Sequence, residues 1–398
     1  MRSTRYRCAV LLSLLAYALA ADAQPVRKDR DDLTEDYAKI RRAQVKNVTY
    51  DLEFTLSKEA STFDGAAHII VDLNRADLPL SIDLNAERIQ SVRVNGAVAT
   101  DIVERKGSFD IPAAHLKTGR NAIDIAYTAA YSTTGLGLCH MTDPVDGKEY
   151  LYTNLEPYGA HNVFPCLDQP DIKATYSMRV SAPRDWVVIG NQPVASEEKH
   201  GDQKTVRFNA TPSLSTYLFF LGAGGYQSWH NTHNEVSLTI YARDSLAEYV
   251  DAERIFSETK AGLDYFNRFF EMPYPFEKYD HIFAPELRPG AMENPGAVTM
   301  NEYMLFRGPV TSDDYRSRNN TLLHEMAHMW FGNLVTMVWW NDLWLNESLA
   351  TFSAYQAQAN MGDANRAWRD FYGLKGWAYY QDQLSTTHPI ETAVPSAR

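Results

Sequence analysis

The chain has 398 residues, of which 45% are hydrophobic and 22% charged, a composition typical of a globular protein with two or three domains. Its formal net charge of −12 argues against nucleic acid as a partner, because the phosphates would be repelled. After the first residues, the sequence has no low-complexity tract and no apolar run long enough to cross a bilayer.

The N-terminus has the pattern of a secretory signal. A basic stretch with three arginines precedes an apolar run, Cys8 to Ala20, and an A-x-A cleavage pattern ends at Ala23. We therefore predict a signal peptide over residues 1–23 and a secreted or periplasmic mature protein without stable membrane insertion. An uncleaved N-terminal anchor is the alternative. Residues 24–44 are polar and predict a flexible or helical lead-in.

The next segment has the alternation of β-strands. Val48, Tyr50, Leu52 and Phe54 alternate with polar residues, which is the period of a half-buried strand. Similar short stretches follow at regular spacing, separated by turn residues. They predict an all-β, sandwich-like N-terminal domain over residues 45–242. The stretches are HIIVDL, RIQSVRV, AIDIAY, YSMRVSA, WVVIG, KTVRF and, last, LTIYAR.

Helical spacing dominates the rest of the chain, residues 243–398, which we predict to be an α+β domain. Apolar residues recur at helical intervals over 244–271, where prolines end the run. A second helix is predicted from near Ser312 to near Gly332, and a third from near Asp342 to about Asn360.

Two cysteines, Cys139 and Cys166, remain after the predicted cleavage. Their spacing is not that of a metal site. Export would permit a disulfide between them, but two buried free thiols are the favoured interpretation.

The stretch TLLHEMAHMWFGNLV contains two histidines four residues apart. On a helix, His324 and His328 project from one face about 40° apart, so that both ring nitrogens can reach one Zn²⁺. Glu325 lies about 100° further round, where a general base can reach a water molecule without binding the metal. An amphipathic helix with two hydrogen-bonded histidines is the alternative.

A third ligand favours the metal site. Catalytic zinc takes three protein ligands and keeps a position open. Glu347 follows His328 by 19 residues on the next predicted helix, which a short connection would return to the first. These residues predict a hydrolase site with one zinc ion per chain.

The stretch HEMAHMWFGNLVTMVWWNDLWLNESLATF resembles the zinc signature of the aminopeptidase N family of gluzincins. Upstream, Gly290, Ala291, Met292, Glu293 and Asn294 match the exopeptidase motif of that family, GAMEN. The resemblance implies that this segment is an edge strand lining the cleft. It also implies that its glutamate binds the free α-amino group of the substrate.

A third segment, YLYTNLEPYGAHNVFPCLDQPDIKATY, resembles the family's sandwich-domain motif. Glu156 falls on the position that reaches into the cleft and joins the amine site in relatives. Asn154 stands where the family usually has glutamine, and its side chain is one methylene shorter.

The resemblance covers the chain from about Val45 and implies a thermolysin-like catalytic domain after the β-domain. It implies a zinc metallo-aminopeptidase acting on peptides with a free N-terminus. In this mechanism Glu325 takes a proton from water and passes it to the leaving amine, while Glu293 and Glu156 anchor the N-terminus. Asp342 and a backbone carbonyl are the candidate partners of the histidine rings.

One expected residue has no counterpart. Relatives carry an oxyanion-stabilising tyrosine some sixty residues after the third ligand, which counts to a position beyond Arg398. We therefore expect a C-terminally truncated fragment, and a weak or inactive peptide-binding fragment is an alternative function. A thermolysin-like endopeptidase is another, but it would have no use for Glu293 and Glu156. An epoxide hydrolase has no specific support in these residues.

Overall fold

The computed structural model of the protein describes Arg27 and residues 32–397. The predicted signal peptide, residues 1–23, lies outside the described residues. The α-helices of the described part are α1 (Glu35–Gln44), α2 (Ala252–Phe269), α3 (Ser312–Ala327), α4 (Leu343–Met361) and α5 (Ala364–Asp382).

The strands of the described part form four sheets. In chain order they are β1 (Val45–Thr55), β2 (Thr62–Leu73), β3 (Leu80–Asp83), β4 (Arg88–Val94), β5 (Ala97–Val98), β6 (Val103–Arg105), β7 (Ser108–Ile111), β8 (Gly119–Ala130), β9 (Gly137–Thr142), β10 (Glu149–Asn154), β11 (Ala174–Pro183), β12 (Val187–Gly190), β13 (Val194–His200), β14 (Gln203–Phe208), β15 (Leu221–Gly224), β16 (Tyr226–His233), β17 (Val236–Arg243), β18 (Lys278–Ala284), β19 (Ala291–Met292) and β20 (Ala297–Asn301).

The largest sheet has eight strands in the order β13-β14-β11-β1-β2-β8-β4-β5. Strand β1 runs antiparallel to β2 and parallel to β11. Along β1, Val48, Tyr50, Leu52 and Phe54 are buried while the intervening residues are more exposed, which confirms the predicted alternation. One face of this sheet therefore covers the main apolar core.

Two smaller sheets complete the N-terminal region, with orders β3-β7-β6 and β12-β15-β10-β9. Strand β10 is buried along its whole length and ends at Asn154, two residues before Glu156. The predicted order of a β-rich region followed by an α+β region is confirmed.

The α+β region contains a five-stranded sheet in the order β16-β17-β18-β20-β19, in which β18 runs parallel to both β17 and β20. The segment Ala291–Met292 pairs only with β20 and forms the edge, as the resemblance implied. This sheet joins strands from both sides of residue 243. The predicted domain boundary at that residue stays a prediction.

Helix α3 begins at Ser312 as predicted but ends at Ala327, not near Gly332. After it, the amides of Met329 and Trp330 donate to carbonyls three residues back, which tightens the chain into turns. Gly332 then adopts a φ of 121°, a conformation that favours glycine, and the chain reverses toward α4.

The polar lead-in is helical over α1, whose Tyr37, Ala38 and Arg41 are buried against the β-region. Cys139 and Cys166 are buried free thiols, which confirms the favoured interpretation. Among the described residues, none of the helices combines the length and apolarity needed to cross a membrane.

Candidate metal centre and active site

Helix α3 carries the two predicted histidine ligands at its C-terminal end. A capping box starts the helix, because Thr311 accepts from the amide of Asp314 and the Asp314 carboxylate accepts from the amide of Thr311. Leu322, Leu323 and Met326 are buried in the core and fix the helix rotation. His324 and His328 therefore face away from these core residues and toward α4.

Helix α4 brings the third predicted ligand to the two histidines. The Nε2 atoms of His324 and His328 lie 2.9 Å apart. Glu347 Oε2 lies 3.3 Å from His324 Nε2 and 3.8 Å from His328 Nε2. The structure thus places the three predicted ligand atoms within 4.8 Å of one another.

These distances fit a tetrahedral zinc site. Zinc bonds of about 2.0–2.1 Å to nitrogen and oxygen place two ligand atoms about 3.3 Å apart. The three observed separations, 2.9, 3.3 and 3.8 Å, bracket this value. Two imidazoles and a carboxylate are also ligands that zinc prefers.

The partners of His328 fix its tautomer. Its Nδ1 lies 3.1 Å from the carbonyl oxygen of Phe331 and 2.7 Å from Asn346 Oδ1. A carbonyl can only accept, so Nδ1 carries the proton and Nε2 presents its lone pair to the ligand cluster. The ring is held by Asn346 and by the backbone carbonyl of Phe331; of the two predicted candidates, the backbone carbonyl is confirmed for His328 and Asp342 is not its partner.

The protonation states of His324 and Glu347 also favour metal binding. Burial lowers the pKa of His324, which favours the neutral, metal-binding ring. Burial, the largest single effect, would raise the pKa of Glu347, but its hydrogen bond with His324 and the charges of His328 and His324 together lower the pKa. A neutral imidazole and an ionised carboxylate are the forms that bind metal.

Glu325, the predicted general base, is 5% exposed. Burial is the main cause that raises its pKa well above the ordinary value, and the charges of Glu293, Glu347 and Glu156 add to it. A carboxylate with a raised pKa holds a proton more readily than a solvated one, which suits acid–base chemistry near neutral pH.

The exopeptidase motif lies beside the metal ligands. Glu293, Glu325 and His328 each offer one atom to a second group that also lies within 4.8 Å. Glu293 and Asn294 are 3% and 1% exposed, while Gly290 is exposed at the start of the motif.

Contacts on both sides hold this motif in place. Ala291 and Met292 form the edge strand β19, directly before Glu293. Asn333 Nδ2, from the turn after α3, donates to the Glu293 carbonyl at 2.7 Å. Asn294 Nδ2 donates to the Leu218 carbonyl at 3.3 Å, which ties the motif to the β-region.

Glu156 enters the site from the loop after β10. Tyr158, two residues further, anchors this loop by donating to Asp83 Oδ1 at 2.8 Å. Burial raises the pKa of Glu156 well above its ordinary value, and the nearby charges of Glu293 and Glu347 add to this. Glu156 therefore belongs to the same carboxylate cluster as the exopeptidase motif.

Asn154 does not face the metal ligands through its amide nitrogen. Its Nδ2 donates to the Gly135 carbonyl at 2.7 Å, so the amide holds the loop that connects β8 and β9. The amide nitrogen of Asn154, whose side chain is shorter than that of glutamine, thus makes a hydrogen bond within the protein.

Two residues near the site were not among the predicted site residues. Asn346 precedes a ligand, but its contacts depend on the tertiary fold. Tyr217 is buried beside the carboxylates, and its hydroxyl has no hydrogen-bond partner among the described residues. Three tyrosines of α5, which the sequence gives no reason to identify as the oxyanion-stabilising residue, are largely exposed: Tyr372 (74%), Tyr379 (58%) and Tyr380 (60%).

The chain matches two family models. The Peptidase M1 N-terminal domain matches residues 46–218, and the Peptidase family M1 domain matches residues 255–398. An aminopeptidase N of Streptomyces lividans is 42% identical over 369 residues, which are 90% of this chain and 42% of that protein.

Relatives of lower identity are also named as aminopeptidases. A leucyl aminopeptidase of Saccharolobus solfataricus is 35% identical over 61% of this chain and 31% of that protein. Aminopeptidase M1 of Arabidopsis thaliana is 36% identical over 63% of this chain and 29% of that protein. The chain spans less than half the length of these curated relatives. Both regions of the chain match models of one family in the expected order, and the protein belongs to the peptidase M1 family.

Proposed function

We propose that this protein is a zinc metallo-aminopeptidase that hydrolyses the N-terminal residue from peptides. The observation that carries the proposal is the closeness of Glu293 to the metal-ligand cluster, since Glu293, Glu325 and His328 lie within 4.8 Å of one another. A carboxylate there can bind the ammonium group of a peptide whose first carbonyl lies at the metal. An internal peptide bond offers no ammonium group in that place.

His324, His328 and Glu347 would hold the zinc ion. When bound, zinc supplies Lewis acidity toward the scissile carbonyl and toward the attacking water. Glu325 is the proposed general base, which takes a proton from water and donates it to the leaving amine. Glu293 and Glu156 bind the α-ammonium group and so select the first peptide bond. Secretion or export to the periplasm is part of the proposal, and the pattern of residues 1–23 supports it.

The proposal is tested with a peptide and its N-acetylated counterpart, using the full chain loaded with zinc. Acetylation removes the positive charge that the buried carboxylates would pair with, so we expect kcat/KM to fall about 100-fold. Equal cleavage of both peptides would instead identify an endopeptidase.

The Glu325→Gln variant tests the role of the base. We expect hydrolysis to fall by about 10²- to 10⁴-fold, because the amide cannot take the proton. Zinc binding should be unchanged, since Glu325 is not a ligand. If the unsubstituted chain and this variant both bind the free peptide and neither cleaves it, the protein is a peptide-binding protein without catalysis.

A further inference from the structure

Asn346 lies between a metal ligand and the exopeptidase motif. It occupies the first turn of α4, directly before Glu347, and is 4% exposed. Its amide contacts two functional residues that come from different parts of the chain, His328 and Glu293. Both the oxygen and the nitrogen of a buried amide need hydrogen-bond partners, so the orientation of the amide shows which neighbour donates and which accepts.

The contacts allow only one orientation of this amide. His328 Nδ1 carries a proton, because the Phe331 carbonyl beside it can only accept. Asn346 Oδ1 therefore accepts from Nδ1 at 2.7 Å, and Nδ2 points to Glu293 Oε1 at 3.4 Å. If the amide were flipped, Nδ2 would face the protonated Nδ1 of His328, which are both donors, and Oδ1 would face the Glu293 carboxylate, which are both acceptors.

The turn after α3 leaves room for the Asn346 amide between His328 and Glu293. Gly332 has a φ of 121°, and a Cβ at that position would overlap Asn346 Oδ1. On the other side, Asn333 Nδ2 holds the backbone of Glu293 by donating to its carbonyl at 2.7 Å. The turn after α3 thus supports both the Asn346 amide and the glutamate that it contacts.

We propose that Asn346 is a positioning residue that couples the metal site to the amine site. Its oxygen holds the His328 ring with Nε2 toward the metal, and its Nδ2 orients the Glu293 carboxylate that receives the substrate's ammonium group. One amide thereby sets the distance between the two parts of the site. The inference rests on the proposed function, because it assigns the amine site to Glu293.

Two substitutions separate the two ends of the amide. Asn346→Asp keeps an oxygen that accepts from His328 but has no N–H for Glu293. Asn346→Leu removes both contacts and keeps a side chain that branches at the same carbon. Asn360→Asp and Asn360→Leu are the matched controls, since Asn360 lies on the same helix, is exposed, and contacts Tyr265 instead.

Two binding measurements are made at pH 8, without relying on turnover. Zinc affinity is measured by competition with a chelator. Amine recognition is the ratio of affinities for alanylalanine amide and its N-acetylated form, measured calorimetrically on zinc-loaded chains that all carry Glu325→Gln, so that the free peptide is not hydrolysed during the titration. We expect Asn346→Leu to weaken zinc binding about 10- to 100-fold and Asn346→Asp to change it less than about threefold. Both variants should reduce the preference for the free amine at least about fivefold, whereas the controls should match the unsubstituted chain.

Three results would overturn the inference. If Asn346→Asp lost as much zinc affinity as Asn346→Leu, the side-chain oxygen at position 346 would not be what holds His328. An unchanged preference for the free amine in Asn346→Asp would show that Nδ2 does not orient Glu293, and this variant decides the matter even if Asn346→Leu does not fold. An unsubstituted chain without zinc binding or amine preference would reject the proposed function, and the inference with it.

Discussion

Buried carboxyl groups dominate the chemistry at the residue scale. Glu325 and Glu156 both have raised pKa values, first because burial disfavours their charged forms and then because other glutamates lie nearby. Such a cluster binds cations, since a cation relieves the repulsion among the carboxylates. A metal ion and a substrate ammonium group are the two cations that the proposed function brings to it.

A half-buried glutamate outside the site predicts how stability depends on pH. Burial raises the pKa of Glu258 on α2 to about 7, although Arg318 and Arg254 partly oppose this. Between about pH 4.5 and 7 the folded chain therefore binds more protons than the unfolded chain, so stability falls as pH rises. We expect Glu258 to contribute a loss on the order of 2–3 kcal/mol across this window to the free energy of unfolding in urea.

Glu258→Gln should remove this contribution, because the amide does not titrate. The free energy of unfolding of the variant, relative to that of the unsubstituted chain, should therefore increase as the pH rises to 7. Above pH 7 this difference should stay constant. Glu253→Gln, an exposed position on the same helix, is the control and should follow the unsubstituted chain. A constant difference between Glu258→Gln and the unsubstituted chain from pH 4.5 to 8 would contradict the assignment.

At the scale of elements, the turn between α3 and α4 determines whether the ligands meet. The last turn of α3 tightens after Ala327, and Gly332 reverses the chain in a conformation that other residues rarely adopt. Val335 accepts from the Gly332 amide at 2.7 Å and closes the turn. Helix α4 can then return Glu347 to the two histidines.

Gly332→Ala should damage both stability and metal binding. The added Cβ would be strained at this φ and would overlap the Asn346 amide, so we expect a loss of about 1–3 kcal/mol in stability. Zinc affinity should fall about 10-fold or more, because the partner of His328 is displaced. Chelator competition and urea unfolding measure the two effects.

Gly373→Ala is the matched control for this substitution. Gly373 lies within α5, and a Cβ there would meet nothing within 4 Å. Alanine favours a helix interior over glycine, so this variant should gain up to about 1 kcal/mol and bind zinc normally. Equal behaviour of the two alanine variants would argue against a special role for Gly332.

At the scale of the whole molecule, the β-region supports both motifs of the site. Asn191 Nδ2 donates to the carbonyls of Leu218 and Pro295, which joins the β-region to the residue that follows the exopeptidase motif. Lys173 Nζ donates to the carbonyls of Asn333 and Leu334 at 3.0 Å in the turn after α3. Contacts across the two regions thus hold the two motifs at a set distance.

Because the ligands come from two helices, zinc should stabilise the folded chain as a whole. A ligand that binds only the folded state at 100 times its dissociation constant adds about 2.7 kcal/mol. We expect the midpoint of thermal unfolding to fall after treatment with a chelator and to recover when zinc is added, measured by calorimetry. Glu347→Gln should show a much smaller zinc-dependent shift. An equal shift in this variant would place the stabilising zinc elsewhere.

Much of the fold followed from local patterns. The alternation around Tyr50 predicted β1, and the apolar spacing of residues 244–271 predicted α2, although six residues at its start form a 3₁₀ segment, Asp244–Tyr249. The end of α3 was wrong by about five residues, because the apolar residues of MWFGNL continue the helical pattern while the chain already turns. Burial of those residues comes from tertiary contacts, for which local spacing carries no signal.

By itself, the sequence determined which residue types are available for the site and in what order. The spacing of His324 and His328 on a helix, with Glu347 on the next helix, was sufficient to predict a metal cluster, because helical geometry is local. Only the tertiary structure decided the partners of these residues. Asn346, Phe331 and the edge strand before Glu293 meet through a glycine turn and a sheet register, and such contacts depend on the packing of segments that are distant in the chain.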